Sequence, residues 1–179
     1  MYILSKMSGK IYTKTGDKGM TSNYDGTREM KSCVLYDVIG DIDLLNSSLG
    51  NESFGEFEDD KTRIQIDLFD MGAYFSSAGE IKFEKDTVFL EKRIDSMTES
   101  IPVLKNFILP RHPLHITRGY CRKAERKTIK FFCKEEYLYL TNDYILAYLN
   151  RLSDYLFTLA RYLSQTDCIE EILYIKSKN

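Results

Sequence analysis

The sequence predicts an all-α fold, an up-and-down bundle of five helices preceded by a glycine-rich loop at the N-terminus. Apolar residues recur at intervals of three and four in five separate segments, and convincing period-two alternation is scarce. Each apolar stripe has to be buried against another, and short connections between antiparallel helices allow this. We therefore expect a single domain over residues 1–179, with the bundle from about residue 35 to about residue 164.

The composition excludes several classes of protein. Lysine and arginine number 25 against 27 aspartate and glutamate, and a net charge of −2 offers no general excess for binding nucleic acid. With 43% hydrophobic and 29% charged residues, the chain can bury a core and is neither disordered nor collagen-like. No uncharged apolar run approaches the ~18 residues that a membrane-spanning helix needs, which predicts a soluble protein.

The first two helices follow the N-terminal loop. From Tyr36 onward, apolar spacings of four and three predict a first helix that ends at Gly50. Residues 51–60 are acidic and contain glycine, which is typical of a connection. A second stripe then predicts a helix that ends at Gly79. The stripes consist of Val38, Ile42, Leu45 and Leu49 in the first helix, and of Ile64, Leu68, Met71, Phe75 and Ala78 in the second.

A weaker stripe over residues 86–100 predicts a third helix, with Asp86 and Thr87 as candidate caps. Three prolines then favour an extended loop with an apolar tip at residues 107–109, because proline lacks a backbone donor and disfavours helix just before it. These prolines are Pro102, Pro110 and Pro113.

The last two helices carry the clearest periodicity. We predict the fourth helix from Leu114 to about Lys134 and the fifth from Thr141 to Leu163. The apolar residues of the fifth form a heptad seam. The chain from Gln165 onward is expected to be a frayed or docked tail. The seam consists of Ile145, Leu149, Leu152, Leu156, Leu159 and Leu163.

Cysteine spacing and the N-terminus indicate a reducing compartment. The four cysteines never form a close pair, which excludes a zinc knuckle and a dithiol motif and predicts reduced, mostly structural thiols. The apolar run at the N-terminus has only three residues before Ser5, too few for a secretory signal. We therefore expect a cytoplasmic protein.

The run TKTGDKG, from Thr13 to Gly19, combines glycines, hydroxyl groups and two lysines within seven residues. Phosphate oxygens accept hydrogen bonds from such hydroxyl and ammonium groups and from the backbone N–H groups of glycine-rich turns. The run is not a Walker A motif, because G-x-x-x-x-G-K-[ST] is absent. A lysine-containing hairpin turn has the same composition, so both interpretations remain open.

Arg118, Arg122 and Arg126 recur every four residues on the predicted fourth helix and therefore share one face. A solvated surface, or ion pairs with nearby carboxylates, explains such a pattern. A clamp for a polyphosphate explains it as well, because forked guanidinium groups suit phosphate oxygens. The residues alone leave both explanations open.

Three further polar clusters have simpler explanations than catalysis. Three acids at the predicted start of the first helix fit helix capping and the helix dipole. The polar interruption at residues 150–154 predicts either a buried network or a surface position. His112 and His115 lack a nearby third ligand, and no Glu-x-x-His motif exists, so we expect no metal site. The three acids are Asp37, Asp41 and Asp43.

Four sequence blocks stand in order along the chain: KIYTKTGDKGMTS, IGDIDLLNSSLG, FILP followed by LHITRGYCRKAER, and YLNRLSDYLFTLARY. From Lys10 to Tyr162 the chain resembles the ATP:cob(I)alamin adenosyltransferases of the trimeric five-helix-bundle type, with residues 51–100 matching mainly in pattern. The resemblance implies transfer of the 5′-deoxyadenosyl group of ATP to the cobalt of Co(I) cobalamin, with release of triphosphate. It implies ATP and cobalamin as substrates and magnesium as the companion of ATP.

The resemblance also implies roles for individual residues. The N-terminal loop would cradle the phosphates, and Arg122 and Arg126 would act as catalytic cations on the leaving triphosphate. The implied phosphate-loop residues are Thr13, Lys14, Thr15, Gly16, Thr21, Ser22 and Lys31. The other implied nucleotide-site residues are Lys123, Glu125 and Asn150.

The resemblance implies roles for four more residues, two at the boundary between subunits and two next to the corrinoid. Arg118 matches a family arginine that pairs with an aspartate of the neighbouring subunit, and Asp43 matches that aspartate, which implies a homotrimer. Phe107 matches the aromatic residue that keeps the lower axial ligand off cobalt, so that four-coordinate Co(II) is easier to reduce, and Phe157 would assist. The product would pass to an adenosylcobalamin-dependent enzyme, and neither nucleic acid nor membrane is expected as a partner.

Departures from the family pattern keep an alternative function open. Residues 111–113, Arg-His-Pro, stand where Gly-Gly and a longer loop are usual, close to the expected corrinoid pocket. Lys123 replaces an arginine and so exchanges a planar fork for a point charge. Residues 23–25 are more polar than usual. The alternative is a nucleotide- or corrinoid-binding carrier or sensor of the same fold without turnover.

Overall fold

The computed structural model describes residues 12–24 and 26–176. Most of them lie in five α-helices: α1 (Val34–Asn51), α2 (Glu58–Ser76), α3 (Val88–Thr98), α4 (Leu114–Phe132) and α5 (Asp143–Thr166). The predicted helical-bundle fold is confirmed. The apolar run at the N-terminus, from which we predicted that there is no secretory signal, lies outside the described residues.

The helices pack side by side in the order α2, α1, α4, α5, α3. α1 and α4 are antiparallel, since Asp37 near the start of α1 pairs with Lys127 near the end of α4 at 2.9 Å. The hydroxyls of Ser48 and Thr117 meet at the other end of this helix pair, 2.6 Å apart. All six residues of the predicted seam in α5 are buried, because α5 packs between α4 and α3.

The start of α2 differs from the prediction. α2 begins at Glu58, so the end of the predicted connection at residues 51–60 is helical. Acidic residues are stabilised in a first helical turn by the partial positive charge of the helix N-terminus. Asp60 is buried there, because Arg93 of α3 and the hydroxyl of Tyr155 both donate to its carboxylate. Three of the acids that suggested a connection therefore belong to the first turn of α2: Glu58, Asp59 and Asp60.

The other helix ends differ from the prediction by no more than three residues, as frayed ends do. α5 begins at Asp143 rather than Thr141 because the side chain of Asn142 accepts the N–H of Ile145 at 3.2 Å. An asparagine at this position caps the helix by satisfying a free backbone donor.

Three features outside the bundle were missing from the prediction, one of which is a 3₁₀ helix at Gly55–Phe57 in the connection between α1 and α2. The N-terminal loop contains an antiparallel hairpin of β1 (Met20–Ser22) and β2 (Arg28–Met30), with Met20 opposite Met30. A 3₁₀ helix at Glu135–Leu140 connects α4 to α5. Of the two expectations for the tail, the docked form is found, since Leu173 forms an antiparallel bridge with Ile108.

The hydropathy of the helices and the state of the cysteines bear on two of the sequence predictions. Within the described part of the chain, none of the helices combines the length and apolarity needed to cross a bilayer. All four cysteines are free. Cys121 is buried in the core, where burial raises the pKa of its thiol, whereas Cys133 and Cys168 are exposed.

Candidate functional site

The glycine-rich loop before α1 folds back on itself. Lys14 has a left-handed backbone with φ of 59°, and the N–H of Gly19 donates to the carbonyl of Gly16 at 3.2 Å. The N–H of Lys31 donates to the carbonyl of Gly19 at 2.8 Å. A Cβ added at Gly16 would lie 3.0 Å from the Lys31 ammonium nitrogen. Glycine at this position therefore leaves room for a cation directly beside the turn.

The other predicted phosphate-binding side chains lie on and next to this turn. Thr13 Oγ1 and Thr15 Oγ1 are 2.9 Å apart, and Thr21 and Ser22 belong to the adjoining strand β1. Arg28 Nη2 donates to the carbonyl of Thr15 at 2.7 Å. Sequence reasoning missed Arg28, although a cation within the same loop was a usable signal.

Arg122 and Arg126 are exposed on α4. Arg126 Nη1 donates to the carbonyl of Arg122 at 3.1 Å, and neither guanidinium has an ion pair within residues 12–24 and 26–176. Like charges four residues apart on a helix repel each other. No described carboxylate offsets this repulsion, so local ion pairs do not explain the exposed arginines, and both a solvated surface and a polyphosphate clamp still fit them.

Lys123 lies apart from the arginine face. Its ammonium donates to Asp41 of α1 at 2.6 Å, so it is directed to the interface between α1 and α4. Asp41 is 8% exposed and is thus an ion-pair partner rather than the predicted helix cap. Of the three acids, Asp37 lies in the first turn of α1. Asp43 is exposed and has no ion pair with any described residue.

The polar interruption of α5 forms a network with its neighbours. Asn150 Nδ2 donates to Glu125 Oε1 of α4 at 3.0 Å. Arg151 donates to Glu91 at 3.1 Å and to Asp154 at 3.0 Å. Two implied nucleotide-site residues, Asn150 and Glu125, are therefore in contact, and they lie at the level of the exposed arginines.

Arg118 and His115 pack against Phe157 of α5. The centre of the Phe157 ring is 5.7 Å from the Arg118 guanidinium and 5.8 Å from the His115 ring centre. Arg118 Nε and His115 Nδ1 are buried without a hydrogen-bond partner in the described chain. Burial and the nearby Arg122 charge lower the pKa of Arg118. An unpaired buried polar atom costs free energy, and the described chain offers these two atoms no partner that would offset it.

The His115 cluster predicts a pH effect on stability. Burial, followed by the charges of Arg118 and His112, lowers the pKa of His115 from 6.5 to about 4. Between these values the unfolded chain binds a proton that the folded chain does not. The free energy of unfolding should therefore fall as pH drops from 6.5 toward 4, by at most ~1.4 kcal/mol per pH unit for one proton.

Replacing His115 by glutamine is expected to remove this contribution. Urea unfolding of both proteins at a series of pH values and one protein concentration measures it, since concentration affects oligomers. Equal slopes for His115→Gln and the unsubstituted protein would contradict the prediction.

Phe107 lies on the segment that precedes α4, which we call the proline loop (residues 101–113). Its side chain is 79% exposed, and its carbonyl accepts the N–H of Tyr174 at 2.7 Å. Val103 and Ile175 are also exposed, at 84% and 85%. These exposed apolar side chains lie on the proline loop and on the C-terminal residues that are hydrogen-bonded to it.

The N-terminal loop and Phe107 lie at opposite ends of α4. The residue before α1, Cys33, contacts the hydroxyl of Tyr137 just beyond the C-terminal end of α4 at 3.3 Å, whereas Phe107 precedes its N-terminal end. α4 has 19 residues and is therefore ~28 Å long. The three arginines lie between these ends. One chain alone does not bring the phosphate loop and Phe107 together.

One buried cation near the proline loop was missed. Arg161 of α5 is 7% exposed and donates to Glu171 and to the carbonyl of Pro102. It lies off the heptad seam, so helical periodicity indicated nothing about its burial.

Comparisons with known proteins identify relatives of nearly the whole chain. The family model for cobalamin adenosyltransferase matches residues 11–163. The chain is 40% identical to a corrinoid adenosyltransferase of Bacillus subtilis, over 94% of this chain and 93% of the relative. It is 36% identical to the human corrinoid adenosyltransferase MMAB, over 94% of this chain and 74% of the relative.

Solved structures show the same fold. A phenylalanine-to-alanine variant of the PduO-type ATP:corrinoid adenosyltransferase from Lactobacillus reuteri, complexed with cobalamin and ATP, superposes with a TM-score of 0.84 at 32% identity. The alignment covers 93% of this chain and 100% of that one. With the family model matched over most of the chain, the protein belongs to the cobalamin adenosyltransferase family.

Proposed function

We propose that the protein transfers the 5′-deoxyadenosyl group of ATP to the cobalt of a reduced corrinoid and releases triphosphate. The exposed arginine pair on α4 carries this proposal, because it occurs in a chain whose solved relatives are complexed with cobalamin and ATP. The resemblance in sequence and fold extends over nearly the whole chain.

The reaction requires two things from the protein. The electron pair of Co(I) forms a bond to the ribose C5′ carbon, while the C5′–O bond breaks and leaves its pair on the triphosphate. The protein has to align cobalt with C5′ and to stabilise the charge that develops on the leaving group. Arg122 and Arg126 are suited to the second task, because a guanidinium donates two parallel hydrogen bonds to phosphate oxygens.

The N-terminal turn is suited to holding the phosphates before the reaction. Thr13, Lys14, Thr15 and Gly16 form the turn, and Lys31 brings a second ammonium group to it. Thr21 and Ser22 on β1 would add hydroxyl donors. Asn150 and Glu125, in contact across α4 and α5, would contribute to the nucleotide site next to the arginines. Lys123 would support the site indirectly through its ion pair with Asp41.

We place the complete site between subunits of a homotrimer. The phosphate loop and Phe107 of one chain lie at opposite ends of α4, so a nucleotide held against both needs parts of two chains. Arg118 has a buried Nε without a partner in the described chain, and Asp43 is exposed without an ion pair there. An ion pair between Arg118 of one subunit and Asp43 of the next would satisfy both groups.

The magnesium ion that accompanies ATP would be held mainly by the nucleotide. Within the described residues, no cluster of three or more histidine, cysteine, aspartate or glutamate side chains could hold a metal ion. Mg²⁺ commonly binds phosphate oxygens and keeps several of its waters, so such a cluster is unnecessary. A cytoplasmic location and transfer of the product to an adenosylcobalamin-dependent enzyme are further parts of the proposal.

Anaerobic incubation with ATP and chemically reduced cobalamin tests the proposal. We expect adenosylcobalamin, measured by its absorption spectrum, and triphosphate in equal amounts. ATP binding without either product would instead support the carrier or sensor function, to which the altered residues 111–113 point. A third possibility is a helical interaction protein whose arginine face is only solvated. It would show no thermal shift with ATP, whereas a saturating ligand stabilises the folded state.

A further inference from the structure

The C-terminal segment, residues 167–175, lies along the proline loop. The N–H of Leu109 donates to the carbonyl of Ile172 at 2.9 Å, and the N–H of Tyr174 donates to the carbonyl of Phe107 at 2.7 Å. The side chain of Asn106 also donates to the Tyr174 carbonyl at 2.7 Å. The backbone of Phe107 is therefore held by the C-terminal segment.

The position of the exposed Phe107 ring depends on this backbone contact. With 79% of the residue accessible, the ring has little packing of its own to determine its position. Its place relative to the bundle follows from the backbone of the loop, and the partner of that backbone is the C-terminal segment. Whatever attaches this segment to the bundle therefore also positions Phe107.

Arg161 of α5 provides that attachment. Its Nε donates to Glu171 Oε1 at 2.6 Å, and its Nη2 donates to Glu171 Oε2 at 3.1 Å and to the Pro102 carbonyl at 2.8 Å. One guanidinium thus binds the C-terminal segment and the start of the proline loop together. A charge that is 7% exposed requires such partners, because a buried unpaired charge is strongly unfavourable.

Two other acids of the C-terminal segment, Glu170 and Asp167, do not attach it to α5 in this way. Glu170 approaches Arg111 at 3.9 Å with 82% of its side chain exposed, and such surface pairs are weak. Asp167 meets His112 Nε2 at 3.2 Å, and His112 Nδ1 accepts the N–H of Leu114 at the start of α4. Glu171 is therefore the acid that ties the segment to α5.

We propose that Arg161, through Glu171 and the Pro102 carbonyl, is a positioning residue for Phe107. It holds the C-terminal segment against the proline loop and so presents the Phe107 ring at a defined place for the corrinoid. This inference rests on the proposed function and on the role of Phe107 in the Co(II) state.

Glu171→Gln tests the inference, with Glu170→Gln as the matched control on the adjacent residue. In Glu171→Gln we expect adenosylation that starts from Co(II) to slow by about tenfold or more, since small displacements of a positioning group are costly. The rate from supplied Co(I) and the KM for ATP should stay within about twofold, a difference typical of a peripheral change. Glu170→Gln should match the unsubstituted protein in all three measurements. Equal losses from Co(II) and Co(I) would overturn the inference.

A double substitution separates positioning from general damage. If Glu171 acts through Phe107, then Phe107→Ala combined with Glu171→Gln should lose no more activity than Phe107→Ala alone, because the effects are coupled. Additive losses would overturn the inference. Arg161→Lys, which keeps the charge without the fork, should retain more Co(II)-dependent activity than Arg161→Ala, and equal loss in the two would likewise contradict it.

Amide hydrogen exchange tests the attachment of the C-terminal segment without relying on enzyme activity. In the full chain, the amides of Leu109 and Tyr174 should exchange faster in Glu171→Gln than in Glu170→Gln, because local opening controls exchange. Unchanged exchange would overturn the attachment by Arg161. Faster exchange in a protein without adenosyltransferase activity would support the attachment and reject the proposed function instead.

Discussion

Replacing Arg122 by alanine is expected to lower kcat/KM for ATP by about 10²- to 10³-fold, the loss typical of removing one donor to a developing anion. Arg122 is exposed, and its guanidinium has no ion pair within residues 12–24 and 26–176. Folding should thus change by less than ~0.5 kcal/mol, as for other surface substitutions. Steady-state kinetics with limiting ATP, together with urea unfolding, measure both effects.

Two further variants serve as controls for Arg122→Ala. Lys130→Ala removes an exposed cation from the last turn of the same helix and should leave kcat/KM unchanged. Arg122→Lys should fall between alanine and arginine, because a lysine keeps the charge but cannot donate two parallel hydrogen bonds. Equal activity of Arg122→Ala and the unsubstituted protein would contradict the assignment of this residue to the leaving triphosphate.

Phe107→Ala is expected to slow adenosylation that starts from Co(II) by about a hundredfold, equivalent to ~2.7 kcal/mol in the barrier. Adenosylation that starts from Co(I) should change much less, because the implied role of Phe107 is to keep the lower axial ligand off cobalt before reduction. Anaerobic assays that begin from each cobalt state measure the two rates, and the spectrum of bound Co(II) reports its coordination.

Val103→Ala is the matched control for Phe107. Val103 lies on the same proline loop and is 84% exposed, so its substitution removes apolar surface without touching the residue assigned to the corrinoid. We expect both rates to be unchanged in this variant. Equal losses from Co(II) and Co(I) in Phe107→Ala would remove the assigned role.

Most of the bundle could be predicted because helical periodicity is a local property of the sequence. The seam of α5 is buried as expected, and helix ends other than the start of α2 lie within three residues of the prediction. The hairpin was missed because its strands have only three residues each, too few to show alternation. The start of α2 was missed because acids favour both connections and first helical turns.

The sequence predicted which residues belong to the candidate site but not how they are arranged in space. The residues of the phosphate turn and of the arginine face were identified from the sequence, and their roles toward ATP and the corrinoid stay predictions. The ion pair of Lys123 was not predicted, and the implied role of this residue at the nucleotide stays a prediction. Lys123 shares a helix with the arginines, but its ammonium lies against Asp41, a residue 82 positions away in the chain.

The sequence by itself determined the five helices, the heptad seam and the resemblance to corrinoid adenosyltransferases. Only the tertiary structure decided that Arg161 is buried with Glu171, that Arg118 Nε has no partner within the described chain, and that the phosphate turn and Phe107 lie at opposite ends of α4. The physical reason is that apolar spacing defines which face of a helix is buried. Which charges meet depends instead on how segments distant in sequence pack together.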